Sequence, residues 1–439
     1  MRILLVEPGY KNKYPPLGLM KISTFHKLLG DSVSFVKGCD KSAKLEKWDR
    51  IYVSTLFTFQ WNITIKTIKY YRAMVDSAQQ LIVGGVMATL LKNEIKDVID
   101  VTIIPGLLDK PHMLNNKSKI IIDHLVPDYS ILQQTDFLYG HNDSYVGYAT
   151  RGCPNRCAFC AVSRIEPTFC GYLPLKKQIH SIDERFGPKR HLMLLDNNVL
   201  ASHSFDQIID DIKELGFTLG AKFRNGLRHV DFNQGLDVRL LDEHKMARLS
   251  EIPIKPLRIA FDHIELKNQY IDKVHLAAKF GLLNLSNYIL YNYEDTPEDF
   301  YERLRINVEL NKELGTKIYS FPMKYIPLDA KDRKYIGKHW NKKLIRGVQC
   351  ILLATMGKVG LKKDFFEAAF GRDASEFIEI AMMPERYIIY REKYKENEAK
   401  IWRNALRSLT PKEKKVFMQQ TTHDGTKIDN IRLQNLLEA

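Results

Sequence analysis

Residues 151–166 read RGCPNRCAFCAVSRIE, and their interpretation decides what the rest of the chain must be. Cys153, Cys157 and Cys160 stand at C-x3-C-x2-C spacing, with Phe159 directly before the last of them. Three thiolates this close together can face one metal centre. They are one ligand short of a closed four-cysteine zinc or iron–sulfur site, and no histidine stands near enough in sequence to complete one. The spacing by itself leaves two readings open, a structural zinc or an iron centre with an open coordination position. The preceding run, YVGYAT at 145–150, alternates and is rich in aromatic and β-branched residues, so the cysteines follow a strand. Loops at the carboxyl ends of parallel strands are where barrel enzymes place their chemistry.

With its aromatic residue included, this loop resembles the cluster loop of the radical S-adenosylmethionine (SAM) enzymes. The resemblance implies that Cys153, Cys157 and Cys160 hold a 4Fe-4S cluster and that the amino and carboxylate groups of SAM chelate the remaining iron. One electron then splits the sulfonium to a 5'-deoxyadenosyl radical. It also implies a reductant protein of flavodoxin or ferredoxin type, and it places Phe159 beside the cofactor.

A chain of 439 residues is too long for one ordinary core, so two or three domains are expected. Hydrophobic residues at 45% and charged residues at 27% describe a soluble globular protein. No apolar run reaches the roughly 20 residues of a membrane span. The amino terminus, MRILLVEPGY, has the pattern of a buried strand rather than of a cleaved signal, so a cytoplasmic location is expected. Six cysteines, three of them in one loop, make no disulfide framework and fit a reducing compartment. The net charge of +14 suggests an anionic partner, set against the plainer reading of a solvated basic surface. Residues 331–439 hold 23 Lys and Arg against 14 Asp and Glu, so +9 of the surplus lies in the last quarter.

Along residues 1–123, short apolar strands at 3–6, 32–36, 50–54, 80–83 and 101–104 alternate with helical runs at 18–29, 63–78 and 86–95. Such alternation predicts an α/β fold with a doubly wound parallel sheet. YPPLGLMKISTFHKLLG, Ser54 to Leu56 and LIVGGV, with Gly84 and Gly85, resemble the amino-terminal cobalamin-binding-type domain of one large branch of radical enzymes. The resemblance implies a flavodoxin-like Rossmann fold whose ligand edge faces the barrel. The branch's cobalamin-ligating pattern, Asp-x-His-x-x-Gly, is missing: His26 falls inside a predicted helix. The segment 105–119 is short, so weak or absent cobalamin binding is expected. Residues 124–147, with DHLVPDYSIL spanning their start, read as a linker.

Residues 148–330 repeat strand and helix, and together with the strand before the cysteines they make six strands. The resemblance implies the partial, open (β/α)6 barrel of the radical SAM family. Two strand ends carry polar groups. Asp196, Asn197 and Asn198 follow LMLL, where the family places acceptors for the SAM ammonium; capping of the next helix is the alternative. Asn233, Gln234, Asp237 and Arg239, in FNQGLDVRLL, resemble the strand that meets the ribose and carboxylate of the cofactor. Arg239 can hold a carboxylate bidentately, or can pair with Asp237 in a purely structural way. Asp262, Asn292 and Glu294 end further strands and are weaker candidates. Cys170 is expected to be a small buried residue. The methylthiotransferases, similar in barrel, carry a second three-cysteine set that this chain lacks.

Residues 331–439 are expected to form a basic, mostly helical carboxyl-terminal domain, with helices at 344–356, 364–370, 374–382, 385–407 and 411–420. Lys334, Lys338, Lys342, Lys343 and Arg346 surround Trp340, and basic residues interleaved with aromatics suit phosphate neutralisation and base stacking on RNA or DNA. Three functions follow. The first is a radical SAM enzyme that modifies, by methylation or otherwise, a nucleic acid or nucleotide. The second is a radical enzyme acting on a peptide or small natural product. The third is a non-enzymatic nucleic-acid-binding protein whose cysteines hold a structural metal.

Overall fold

The computed structural model describes residues 1–360, 362–420 and Leu436, with the side chains of residues 419 and 420 excepted. Within the expected carboxyl-terminal domain, residues 361, 421–435 and 437–439 lie outside the described residues. The chain divides into two compact units. One comprises Met1–Gln234, Glu251–Ile254 and Pro327–Arg333; the other comprises Gly235–Ser250, Lys255–Ile326 and Lys334–Ala439.

The first unit opens with a parallel five-stranded sheet of β1 (Arg2–Glu7), β2 (Ser32–Lys37), β3 (Arg50–Thr55), β4 (Leu81–Gly85) and β5 (Thr102–Ile104). Its strand order, β2-β1-β3-β4-β5, is that of the flavodoxin-like doubly wound sheet. Ile3, Leu4, Leu5 and Val6 are fully buried because a parallel sheet is covered on both faces. Every expected strand is present. The helix expected over 63–78 runs instead from Trp61 to Arg72. It stops short because Ser77 and Gln80 cap each other's ends of a separate turn at Ala78–Gln80. Likewise the helix expected over 86–95 breaks at Leu91 into Val86–Leu90 and Lys92–Val98.

The expected linker is laid firmly along the helix Leu17–Leu28. Asp128 accepts from Ser23 Oγ at 2.6 Å, and Thr24 Oγ1 donates to the Val126 carbonyl at 2.6 Å. It leads into β6 (Ser144–Gly147), which pairs in parallel with β7 (His191–Leu194). After the antiparallel hairpin β8 (Lys222–Phe223) and β9 (Gly226–Leu227), β10 (Val230–Phe232) completes a parallel sheet of order β10-β7-β6.

The second unit carries β11 (Leu257–Arg258), β12 (Asn284–Tyr291) and β13 (Lys317–Lys324), parallel in that order. The six strands expected of a partial barrel are therefore present, three in each unit, and no closed eight-strand barrel forms among the described residues. Helix Pro297–Leu314 packs on this sheet, with Arg303 buried against Asp295 and the carbonyls of Phe261, Asp262 and Leu290. The helices Lys342–Ala354, Lys363–Phe370 and Ala374–Met382 follow closely where they are expected. Gly347 lets two of them touch, since a Cβ there would lie 2.0 Å from the Ala381 carbonyl oxygen. The long helix expected over 385–407 is broken into Glu385–Ile389, Arg391–Tyr394 and Glu398–Arg407. Tyr390 and Asn397 leave helical geometry at the breaks.

Candidate active site

The cysteine loop begins three residues after β6. Strand pairing ends at Gly147 because the next amides turn elsewhere: Ala149 N donates to both Asp196 carboxylate oxygens (3.0 and 3.2 Å), and Thr150 N and Oγ1 donate to Oδ1. Asp196 is wholly buried, and that burial pushes its pKa up to about 6 against the pull of these donors. It thus shapes the entry to the loop, at the site where a SAM acceptor is expected.

Arg151 and Cys170 close the loop as a two-residue antiparallel bridge, with N–H···O distances of 3.0 and 2.8 Å. Between them Gly152 adopts φ +73°, where an added Cβ would sit 2.5 Å from the Thr168 carbonyl oxygen. Glycine is required there both for the dihedral and for the space. Glu166 clasps the turn: its Oε2 accepts from Gly152 N at 2.7 Å and from Asn197 Nδ2 at 3.1 Å. Its Oε1 faces Arg151 Nη1 at 3.2 Å. Arg151 is buried, its guanidinium carbon 3.9 Å from the Tyr148 ring centre and its Nε 3.3 Å from Asp123. Asp123 also meets the buried ammonium of Lys21 at 3.1 Å. Burial opposes the charge on Arg151, but Tyr148, Asp123 and Glu166 outweigh it and raise its pKa. Asp123, despite its burial, is held below the usual carboxylate range by Lys21 and Arg151. The chain Lys21–Asp123–Arg151–Glu166 therefore ties the helix after β1 to the cysteine loop.

Cys153, Cys157, Phe159 and Cys160 are all half-buried on one turn, where the Cys160 amide donates to the Cys157 carbonyl. Asn198 Nδ2 lies 3.6 Å from Cys153 Sγ, so its amide is aimed at a thiol of the loop rather than at a helix cap. The helix Phe205–Glu214 has Ser204 at its cap position. Asp196, Asn197 and Asn198 are thus brought to the cysteine loop, though Asp196 and Asn197 serve its scaffold. Among the described residues no three His, Cys, Asp or Glu side chains converge on a single metal ion. Three cysteines on one short turn, by their number and chemistry, are a donor set that suits a cluster with one open iron.

Asn233 and Gln234 follow β10 directly. Asn233 is buried and donates to Tyr14 Oη at 3.1 Å, which brings the loop after β1 to the carboxyl end of the second sheet. Asp237 and Arg239 do not share a strand. Gly235 at φ +92° ends the extended run, and Asp237 caps the turn Val238–Leu240. Arg239 curls back onto Asp237 in a two-pronged pair of 2.8 and 2.7 Å, the structural pairing. Asn292 is likewise structural, at φ +68° and bonded to the backbone of Tyr325, Tyr335 and Gly337. Asp262 sits against Arg303 with its pKa raised, chiefly by burial. Cys170 and Cys39 are exposed, not buried, and Cys350 is buried.

At the carboxyl edge of the five-stranded sheet the two glycines have a packing role. Gly85 lies at φ +96°, and a Cβ there would be 2.3 Å from the Thr55 carbonyl oxygen. His26 is enclosed, with Nδ1 2.7 Å from Asp31 and Nε2 2.9 Å from Tyr52 Oη, and burial lowers its pKa against Asp31. Both ring nitrogens are committed within the fold, so His26 fits no role as an axial ligand to a corrin. Trp340 is also interior: its Nε1 donates to the Asp295 carbonyl at 3.0 Å, among Tyr291 and Phe300. It is not the exposed stacking platform expected from its basic surroundings.

Sequence reasoning did not single out Glu166, Arg151, Asp123 or Lys21. Their only local signal is a pair of charged residues bracketing the cysteines, Arg151 and Glu166.

No family model and no curated protein matches this sequence. Solved structures do match. The radical SAM methyltransferase TsrM from Kitasatospora setae, with cobalamin and a 4Fe-4S cluster bound, superposes with a TM-score of 0.53 at 13% identity, over 75% of this chain and 77% of that one. The same enzyme with tryptophan substrate and the SAM analogue aza-SAM gives 0.53 at 14% identity, over 80% and 76%. The chain thus has the fold of the radical SAM enzymes that carry a cobalamin-binding-type domain.

Proposed function

We propose that this protein is a radical SAM enzyme in which Cys153, Cys157 and Cys160 bind a 4Fe-4S cluster. The observation that carries this reading is the three-thiol turn at the carboxyl end of β6, clasped by Glu166 and met by the Asn198 amide at Cys153. Cluster and SAM together supply, when bound, a carbon radical by one-electron cleavage of the sulfonium. The chain's own part is to hold the loop. Glu166, Arg151 and Asp196 fix its two ends, and the Asn198 N–H near Sγ stabilises negative charge on the thiolate. Phe159, Asn233 and Gln234 are the remaining candidates for cofactor contact.

A nucleic acid or nucleotide substrate is supported by the net charge of +14. Action on a small aromatic metabolite is the second reading, favoured by the tryptophan bound in the TsrM structure; methyl transfer is the reaction class suggested by that likeness. The missing Asp-x-His-x-x-Gly pattern and the enclosed His26 speak for weak cobalamin binding. A flavodoxin- or ferredoxin-type reductant is the implied partner, and the reducing compartment that a cluster needs supports a cytoplasmic setting.

Anaerobic reconstitution followed by iron, sulfide and zinc analysis tests the reading. About four irons per chain and reductant-dependent release of 5'-deoxyadenosine are expected. Zinc in place of iron would overturn it.

A further inference from the structure

The loop after β3 reads FTFQW, and three of its side chains meet a basic segment distant in sequence. Phe57 and Phe59 stack with ring centres 5.0 Å apart at 9°. The Arg333 guanidinium lies 4.3 Å from the centre of the Phe59 ring, and Lys331 Nζ lies 4.2 Å from that of Trp61. Phe59 is therefore stacked and capped by a cation, whereas Phe57 is 45% exposed at the end of the ladder. Trp61 and Leu328 anchor the two segments on the core of the five-stranded sheet, and Ala161 and Ile165 of the cysteine loop pack against that same core.

We infer that this ladder is a binding platform for single-stranded nucleic acid, on which a base stacks against Phe57 while Lys331 and Arg333 neutralise the flanking phosphates. The inference rests on the nucleic-acid reading of the substrate and assigns it a place. Three features of the site argue for it. It lies just outside the carboxyl end of β3, beside β1 at the switch point of the sheet, where doubly wound folds bind ligands. Its cations are already set against aromatic faces, an arrangement suited to a stacked, anionic ligand. Lys331, Arg333 and Phe57 are exposed, so phosphates and a base can reach them. Trp340, the aromatic that the sequence offers for this task, is buried. Asp332 stands between the two cations in sequence and offsets one of their charges, so its replacement by Asn should strengthen binding.

Fluorescence anisotropy of a labelled, mixed-sequence single-stranded RNA with the full chain, at two salt concentrations, tests the platform. Phe57→Ala should weaken binding by about 5- to 150-fold, the range that a lost base–aromatic stack gives. Arg333→Gln and Lys331→Gln together should lower the salt slope by about 1.4, and Asp332→Asn should raise affinity. Duplex RNA, whose bases are already stacked, should bind weakly and respond little to Phe57→Ala. Circular dichroism of each variant separates loss of binding from loss of fold. Wild-type affinity in Phe57→Ala, or no RNA binding at low salt, would overturn the platform. The iron content of the same wild-type preparation reports on the cluster reading by itself, so the two can fail separately.

Discussion

Arg151 and Glu166 bracket the cysteine turn and meet across it, with Nη1 and Oε1 3.2 Å apart and both residues buried. The other oxygen of Glu166 holds the Gly152 amide. One carboxylate thus fixes the first turn of the loop while neutralising the cation beneath it. Removing Arg151 leaves the buried Glu166 carboxylate without a cation, which costs about 3–5 kcal/mol, whereas removing Glu166 leaves Arg151 with Asp123 as its remaining carboxylate partner and frees the Gly152 amide.

Glu166→Ala should therefore lower cluster occupancy as well as stability. Glu166→Gln keeps an acceptor for Gly152 N and should retain more iron than the alanine variant, at a lower melting temperature than wild type. Iron content and thermal melts of the two variants check this; equal iron in wild type and Glu166→Ala would refute it.

Replacement of Cys153, Cys157 or Cys160 by Ala should abolish cluster binding, because two thiolates leave a second iron without a protein ligand. Cys39→Ala and Cys170→Ala should leave the cluster spectrum intact, since both thiols are exposed and outside the turn. Visible absorbance and iron analysis after anaerobic reconstitution would decide it, and a full cluster in any of the three loop variants would refute the ligand assignment.

Burial raises the Asp196 pKa from 3.8 to about 6 in the folded protein. The folded state therefore holds this proton more tightly than the unfolded chain does. Stability from this group is complete below about pH 4 and is lost as the pH rises through about 6, by roughly 3 kcal/mol. Asp196→Asn should remove that loss. Urea midpoints of the apo protein at pH 4.5 and 7.5 should show a smaller difference in the variant than in wild type; an identical difference would contradict the assignment.

Trp340→Ala should destabilise the protein by about 3–5 kcal/mol, as loss of a buried tryptophan does, with no direct effect on a nucleic-acid contact. A thermal melt and RNA binding below the new melting temperature separate the two effects. Unchanged stability would show that the indole is not interior.

His26→Asn should leave the visible spectrum of any added cobalamin unchanged while lowering the melting temperature, because the ring bridges Asp31 and Tyr52. A shift of the corrin bands in the variant would show that His26 does reach the cofactor.

The sequence by itself determined the features that local order carries. The C-x3-C-x2-C spacing is a short-range property of one turn. The strands of the flavodoxin-like sheet are short apolar or β-branched runs separated by helical patterns, most fully buried in β1. Only the tertiary structure decided which polar and aromatic groups meet. Arg151 finds Asp123 and Glu166 across 28 and 15 residues, a pairing that no periodicity records. Asp237 and Arg239 look like neighbours on one strand face until Gly235, at φ +92°, turns the chain and folds them onto each other. A tryptophan in a basic run has the same composition whether it faces inward or outward. Trp340 can turn inward because its N–H meets the Asp295 carbonyl, while Phe57 lies at the surface, stacked on Phe59.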